Sequence, residues 1–387
     1  MPAGGDHALG LHDVLAPTDT GSPDAGAARL VDRAEDLARG LLRPAAEATD
    51  RAPIVPASHL DALATAGLQG IMGPVEFGGH AAGARVNRQI FEVLAGACGV
   101  TFFVWVQHHA PVRLLARSDN AGLREKWLSR LCRGEVLGGV AFAYLRRPGP
   151  PAVVARPVGG GYRVDGEAPW VTSWGLAGFY SVAAAVVPTD GRESPGQAVY
   201  FCLTDTARDE VRPSEPLALA AMNASSTVRV EFRDLFVPTD DVIALIDLEE
   251  WRRRDSIATA QPNPAAFGIA STCLEDVDNA ALADELQQCR TESYRLADVE
   301  GDERHSPEHL DRLIAARAWS LELAVRSATA RVAATGGRAM ERSNPGQRLL
   351  REAAFFTIQA QTRPLREATL QRLGRRDAGR RRVAEEP

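Results

Sequence analysis

At 387 residues the chain is too long for one ordinary hydrophobic core, and its apolar (45%) and charged (24%) fractions are those of a globular protein made of two or three packed units. A formal charge of −6 without a dominant basic face excludes nucleic acid as the main partner, because phosphate backbones require clustered Lys and Arg. No apolar run reaches the roughly 18 residues of a membrane span, and no signal pattern opens the chain, so a cytoplasmic location off the membrane is expected.

Met1 to about Gly26 is rich in Gly, Pro, Asp and Ala and reads as a mobile tail (1–26). From Ala27 to Gly138 apolar residues recur at helical spacing, as in Leu30, Ala34, Leu37, Ala38 and Leu41, with Gly78-Gly79 and Pro111 as punctuation. This predicts an N-terminal helical domain over 27–138.

Between Gly139 and Leu245 the texture turns to short β-branched and aromatic runs: Tyr162 to Val164, Tyr180 to Ala183, Ala198 to Phe201 and Val228 to Phe232. Gly159 to Gly161, Asp165-Gly166 and Asp190-Gly191 lie between them and are read as turns, so a small antiparallel β domain is predicted over 139–245.

After Pro262, Asn263 and Pro264 the helical period returns, interrupted near Asp298 to Pro307. One long amphipathic helix is predicted from Leu310 to Ala328, and another from Gln347 to about Arg363, ended by Pro364. These make a helical bundle over 246–373, followed by a basic tail (374–387) containing Arg375, Arg376, Arg380, Arg381 and Arg382. The fold class is therefore mainly α with a central β domain, in segregated layers.

Five cysteines (Cys98, Cys132, Cys202, Cys273, Cys289) are odd in number and far apart, without C-x-x-C pairs or zinc spacing, so a reducing compartment and no metal are expected.

Several segments, in this order, resemble the acyl-CoA dehydrogenase family over about Ala27 to Leu373. Ala66-Gly67-Leu68 with Pro74 to Gly79 is similar to A-G-L … P-E-E-Y-G-G, and Leu123 to Leu128 with Leu131, Gly134 and Glu135 to the helix and turn that follow. Gly161 to Ser173 (GYRVDGEAPWVTS) resembles G-Y-x-L-N-G-x-K-x-W-I-T-[NGS], and Val228 to Pro238 the closing strand V-x-F-x-D-V-x-V-P. Gly336-Gly337 and Pro345 to Thr362 are similar to a glycine pair and helix of the bundle.

The resemblance implies an N-terminal helical domain, a small β-barrel domain and a C-terminal four-helix-type bundle. It also implies FAD, an acyl thioester substrate on coenzyme A or a carrier protein, and a homodimer or homotetramer. Carried over, Trp170 is the wall stacked on the flavin and Thr172 its hydrogen-bond partner, with Ser173 closing the motif. On residues alone, a plain hairpin with a buried Trp is the other reading. Gly336 and Gly337 would approach a neighbouring subunit's cofactor, or act simply as a helix C-cap.

The chain departs from the family where chemistry is concentrated. The flavin loop L-T-E-P-x-x-G-S-D is replaced by Phe142 to Pro151, which puts Ala143 and Tyr144 at the Thr and Glu positions and leaves cofactor contact there to backbone. Arg146 and Arg147 in that loop suit a diphosphate or an acidic substrate, or a solvated loop. The R-x-x-F-G anchor is missing between about Asp284 and Asp302, Ala333 stands where a Gln precedes the glycine pair, and Arg338-Ala339 lacks the following glycine.

Both family positions for the carboxylate that accepts the substrate's α-proton fall on alanine, at Ala258 and Ala360. Glu249, Glu250, Asp255, Glu275 and Asp276 lie nearby, and Asp255 is the preferred substitute because a three-residue slip keeps the helix face. His108 and His109 are further candidate bases, or half-buried structural residues. Three functions follow as expectations: flavin-dependent α,β-dehydrogenation of an acyl thioester, reduced-flavin monooxygenation on the same scaffold, or a cofactor-poor binding relative.

Overall fold

The computed structural model describes residues 25–187 and 196–374. The basic run from Arg375 and the Asp190-Gly191 turn lie outside these residues, as does all but the last two residues of the 1–26 tail.

The N-terminal part opens with α1 (Ala25–Leu37), which passes through a π-helical turn (Ala38–Leu42) into α2 (Arg43–Arg51). Leu30, Ala34, Ala38, Leu42 and Ala46 are buried along it, a four-residue repeat that keeps one face on the core across the turn. Next come α3 (Ala57–Thr65), α4 (Ala84–Ala97), α5 (Gly99–Gln107), α6 (His109–Ala116) and α7 (Ala121–Cys132). Asn120 caps α7 by accepting from the Leu123 N–H.

Eight strands form the central sheet: β1 (Gly138–Ala141), β2 (Val153–Val158), β3 (Gly161–Val171), β4 (Phe179–Val186), β5 (Gln197–Leu203), β6 (Val211–Pro213), β7 (Val228–Pro238) and β8 (Val242–Asp247). Their order is β6-β7-β3-β2-β4-β5-β8, with β1 beside β4. The sheet is mixed and not purely antiparallel, because β1 and β2 lie end to end along one edge of β4 and both run parallel to it. Every residue of β4 is buried, as expected of a strand covered on both faces.

Asp165-Gly166 is no turn. It lies inside β3 at a register shift against β7, and Gly166 has φ +121. A Cβ there would stand 2.1 Å from the Ala152 carbonyl oxygen, so glycine serves a bulge and a close approach. Gly159-Gly160 makes the β2–β3 turn, with Gly160 at φ +79.

Six helices complete the chain: α8 (Leu248–Ala260), α9 (Pro264–Leu274), α10 (Ala280–Ala297), α11 (Pro307–Thr335), α12 (Pro345–Phe356) and α13 (Arg363–Leu373). Asn263, Ser306 and Asn344 cap three of them, each followed by proline at the first helical position, where its missing N–H costs nothing. Pro364, at the second position of α13, also falls in a first turn where its missing N–H costs nothing. It starts that helix and does not end its predecessor, which already stops at Phe356.

One apolar core joins the N-terminal helices to the bundle, and a second lies between the sheet, α6, α7 and Trp251. Arg348 to Glu47 (2.8 Å) and Arg351 to Asp50 (2.6 Å) fasten α12 to α2. No described helix is long and apolar enough to cross a membrane.

Candidate functional site

A cleft of about 680 Å³ opens where the turn after β1, the end of β3, α8 and the start of α13 meet. The turn Ala143–Arg146 supplies Tyr144, Arg146 and Arg147, β3 supplies Trp170, and α8 supplies Trp251, Arg252 and Asp255. Ile358, Ala360 and Arg366 close the far side.

Trp170 is 50% exposed, so its indole is a wall of the cleft and not a core residue. Tyr144 turns its hydroxyl inward, within reach of the carbonyls of Ala141 (2.8 Å) and Ala183 (2.5 Å), and gives the cleft only its ring. Thr172 is buried off the cleft, with its Oγ1 3.1 Å from that of Thr227. Ser173 has φ +66, and its N–H donates to Ser225 O (2.9 Å). Its Oγ is fully buried and has no partner among the described residues.

Asp255 is 2% exposed and gripped by Arg146, whose Nε and Nη2 each donate to one carboxylate oxygen at 2.7 Å. A fork-to-fork pair of this kind fixes both partners. As the preferred substitute base Asp255 is therefore in the right place but already committed as a counter-ion.

Behind the pair stands Arg317 of α11, which is 6% exposed and donates to Gln261 O (2.9 Å). Burial pushes its guanidinium down to about 10, the Arg146 charge adds to that effect and Asp255 opposes it. The half-buried Arg146, which grips the carboxylate, and the buried Arg317, which feels its charge, thus lie around Asp255.

The other sequence-derived candidates, Ala360 apart, lie elsewhere. Ala258 is buried in α8, while Ala360 reaches the cleft in a left-handed conformation (φ +53). Gly336 caps α11 with φ +69, and both Gly336 and Gly337 are exposed, with nothing of this chain within 4 Å of a Cβ built at either. Glu249, Glu275 and Asp276 do not line the cleft, and Glu250 pairs with Arg253 and Arg254.

His108 and His109 are buried away from the cleft. His108 Nδ1 accepts the Gly138 N–H at 2.8 Å, which requires a neutral ring, and His109 packs edge-on against Trp105 (4.5 Å). Burial lowers His108 from 6.5 to about 4 and drives His109 well below its usual range, helped by the His108 and Arg113 charges.

Both folded values lie below the unfolded one, so the stability they confer is complete above about pH 6.5 and is lost as the pH falls toward 4. For His108 alone this amounts to about 3 kcal/mol. Urea unfolding followed from pH 7 to 4 should show that loss, and His109→Phe should flatten part of it. A stability that stays level across the window would contradict the burial of neutral rings.

Sequence reasoning missed Arg252, Arg317 and Arg366. Nothing local marks them, since each sits on an ordinary helix and acquires its role from the helix's place against the cleft.

Residues 25–135 match the family model described as acyl-CoA dehydrogenase, N-terminal domain. Across 345 residues the chain is 24% identical to a mitochondrial 2-methylacyl-CoA dehydrogenase of Solanum tuberosum, covering 79% of each protein. The N-terminal part of the chain thus matches the acyl-CoA dehydrogenase family, and the chain as a whole is similar to members of that family.

The chain also resembles the oxygenase component of an FADH(2)-dependent resorcinol hydroxylase from a Rhizobium strain, at 28% identity over 57% of the chain and 50% of that protein. Among solved structures, butyryl-CoA dehydrogenase from Megasphaera elsdenii has the same fold, with a TM-score of 0.73, 19% identity, and coverage of 92% of this chain and all of that one. Its relatives thus include dehydrogenases and a hydroxylase.

Proposed function

We propose that this acyl-CoA dehydrogenase relative is a flavin-dependent oxidoreductase that takes FAD beside Trp170, and that its reaction is a reduced-flavin oxygenation. The residues fit a flavin. Trp170 offers an exposed indole face, and the arginines offer a positive rim for phosphates.

The observation that carries the choice of chemistry is the state of Asp255. Among the described residues lining the cleft it is the one carboxylate, and both of its oxygens are held by Arg146. Dehydrogenation beside a thioester carbonyl requires a positioned base for the α-proton, and alanine at 360 cannot accept it. Oxygenation requires no such base.

A reduced flavin held there would supply the two electrons with which dioxygen gives one atom to the substrate and releases the other as water. The chain's own part is to seat the flat ring on Trp170, to hold an anionic group at the arginines, and to keep the cleft floor positive through Arg146 and Arg317.

Dehydrogenation of an acyl thioester is the second reading and rests on the named activities of the dehydrogenase relatives. Supplying the FAD-loaded chain with a flavin reductase and ¹⁸O₂, over panels of aromatic acids and acyl thioesters, separates the two. Label in an organic product is expected; an enoyl thioester free of label would overturn the oxygenation reading. Trp170→Ala should weaken FAD binding by about tenfold, as loss of one stacking face does, measured by quenching of flavin fluorescence.

A further inference from the structure

We propose that Arg147, Arg252 and Arg366 form a binding site for the diphosphate of a nucleotide ester, built by this one chain. The three come from the turn after β1, from α8 and from α13, and converge on one cleft. Most of the described arginines are committed to carboxylates, as in Arg43 with Glu275, Arg326 with Glu285, Arg331 with Asp276 and Arg351 with Asp50. The side chains of these three have no hydrogen bond or ion pair with any described residue, and all three residues are exposed.

The charge balance is local and inverted. The chain as a whole carries −6, yet the cleft lining holds five arginines (Arg146, Arg147, Arg252, Arg363, Arg366) against the single carboxylate of Asp255. Asp255 is spent on Arg146, and Arg363 is paired with Glu367. Arg317 adds a further buried charge behind the floor.

The opening turn of α13 also faces the cleft, and Thr362 places no side chain over its N–H groups. Focused positive potential, forked donors from three directions and an uncapped helix start together suit a compact group of two adjacent phosphates. A lone carboxylate would leave most of these donors unused. Trp170 on the rim then receives a flat ring carried by the same molecule.

FAD and coenzyme A both contain such a diphosphate, so the cluster can serve a cofactor or a thioester. Its existence does not depend on the oxygenation reading. Calorimetric titration of the full chain with inorganic pyrophosphate, ADP, riboflavin, FAD and coenzyme A, at low and at moderate salt, tests it.

Pyrophosphate and ADP are expected to bind, with affinity falling as salt rises. Arg147→Gln, Arg252→Gln and Arg366→Gln should each weaken ADP by about tenfold, as loss of a charge-assisted contact does, and the triple variant should abolish binding. Arg156→Gln, which removes an exposed pair with Asp165 on the distant β2–β3 hairpin, should leave ADP affinity unchanged. Because the three side chains make no hydrogen bond or ion pair with any described residue, their variants should fold normally, and circular dichroism checks that they do.

Displacement of ADP by FAD assigns the site to a cofactor, and displacement by coenzyme A assigns it to a substrate. A chain that binds ADP but neither riboflavin nor FAD upholds the cluster and defeats the flavin reading. Absence of pyrophosphate and ADP binding, or binding that the triple variant retains, would overturn the inference.

Discussion

Replacing Asp255 with alanine should destabilise the fold by about 3–5 kcal/mol, the usual cost of leaving a buried charge without its partner. The carboxylate is almost completely buried, and its two oxygens take the Nε and Nη2 donors of Arg146. Its removal takes away the negative charge that offsets the repulsion between Arg146 and the buried Arg317. Asp255→Asn should lose somewhat less, since the amide oxygen can still accept one donor.

A double replacement, Arg146→Met with Asp255→Leu, should recover most of the loss, because a pair of apolar residues removes both desolvation penalties together. Urea unfolding of the four proteins provides the comparison. A loss of under about 1 kcal/mol for Asp255→Ala is what a solvated helix-surface carboxylate would give. That outcome would return Asp255 to the pool of free bases.

The second large effect is expected at the crossing of α4 and α9. A Cβ on Gly268 would stand 2.0 Å from the Glu92 carbonyl oxygen, and one on Gly96 would stand 2.7 Å from the Gly268 carbonyl oxygen. Each helix is packed against the other's backbone, so neither clash can be relieved by turning a side chain. Gly268→Ala must separate the helices and should cost about 3 kcal/mol, the upper end of overpacking.

Gly337→Ala is the matched control, because a Cβ there meets nothing and the backbone is not left-handed, so a change within about 0.5 kcal/mol is expected. Thermal unfolding midpoints of the two variants distinguish them. Equal midpoints would mean that the α4–α9 contact is looser than described. Since this contact ties the N-terminal helices to the bundle, its loosening should also unsettle the first apolar core.

Much of this architecture was legible in the sequence because its signals are local. The change from helical spacing to β-branched runs near Gly139, and back by Pro264, follows from side-chain periodicity, and Asn-Pro and Ser-Pro pairs mark helix starts. Trp170 was found by its motif, and it does stand at the cleft.

What was not legible depends on partners remote in sequence. Asp165-Gly166 has the composition of a turn, but the close approach of Ala152 makes it a bulge. Pro364 is a helix breaker by local rule and a helix starter in place. Parallel pairing of β1 and β2 with β4 has no local signature at all.

The same limit applies to the site. Arg146 and Asp255 are 109 positions apart, so the pair that occupies the candidate base was beyond pattern reading. Arg147 was singled out by its place in a departing loop, whereas Arg252 and Arg366 look like any solvated helix arginine until α8 and α13 are set against one cleft. Charge composition pointed away from a positive site, because the −6 of the whole chain conceals a local excess of the opposite sign.

The claim on which the functional reading turns is that this cleft receives a flavin yet holds no carboxylate free to take an α-proton. It is tested most directly by mixing the FAD-loaded chain anaerobically with a series of acyl-coenzyme A thioesters and following the visible flavin band. The band of the native chain should persist with every thioester, and Ala360→Glu, which places a carboxylate at the cleft position occupied by alanine, should allow it to bleach. Bleaching of the native chain by any acyl thioester would contradict the claim and restore α,β-dehydrogenation as its activity.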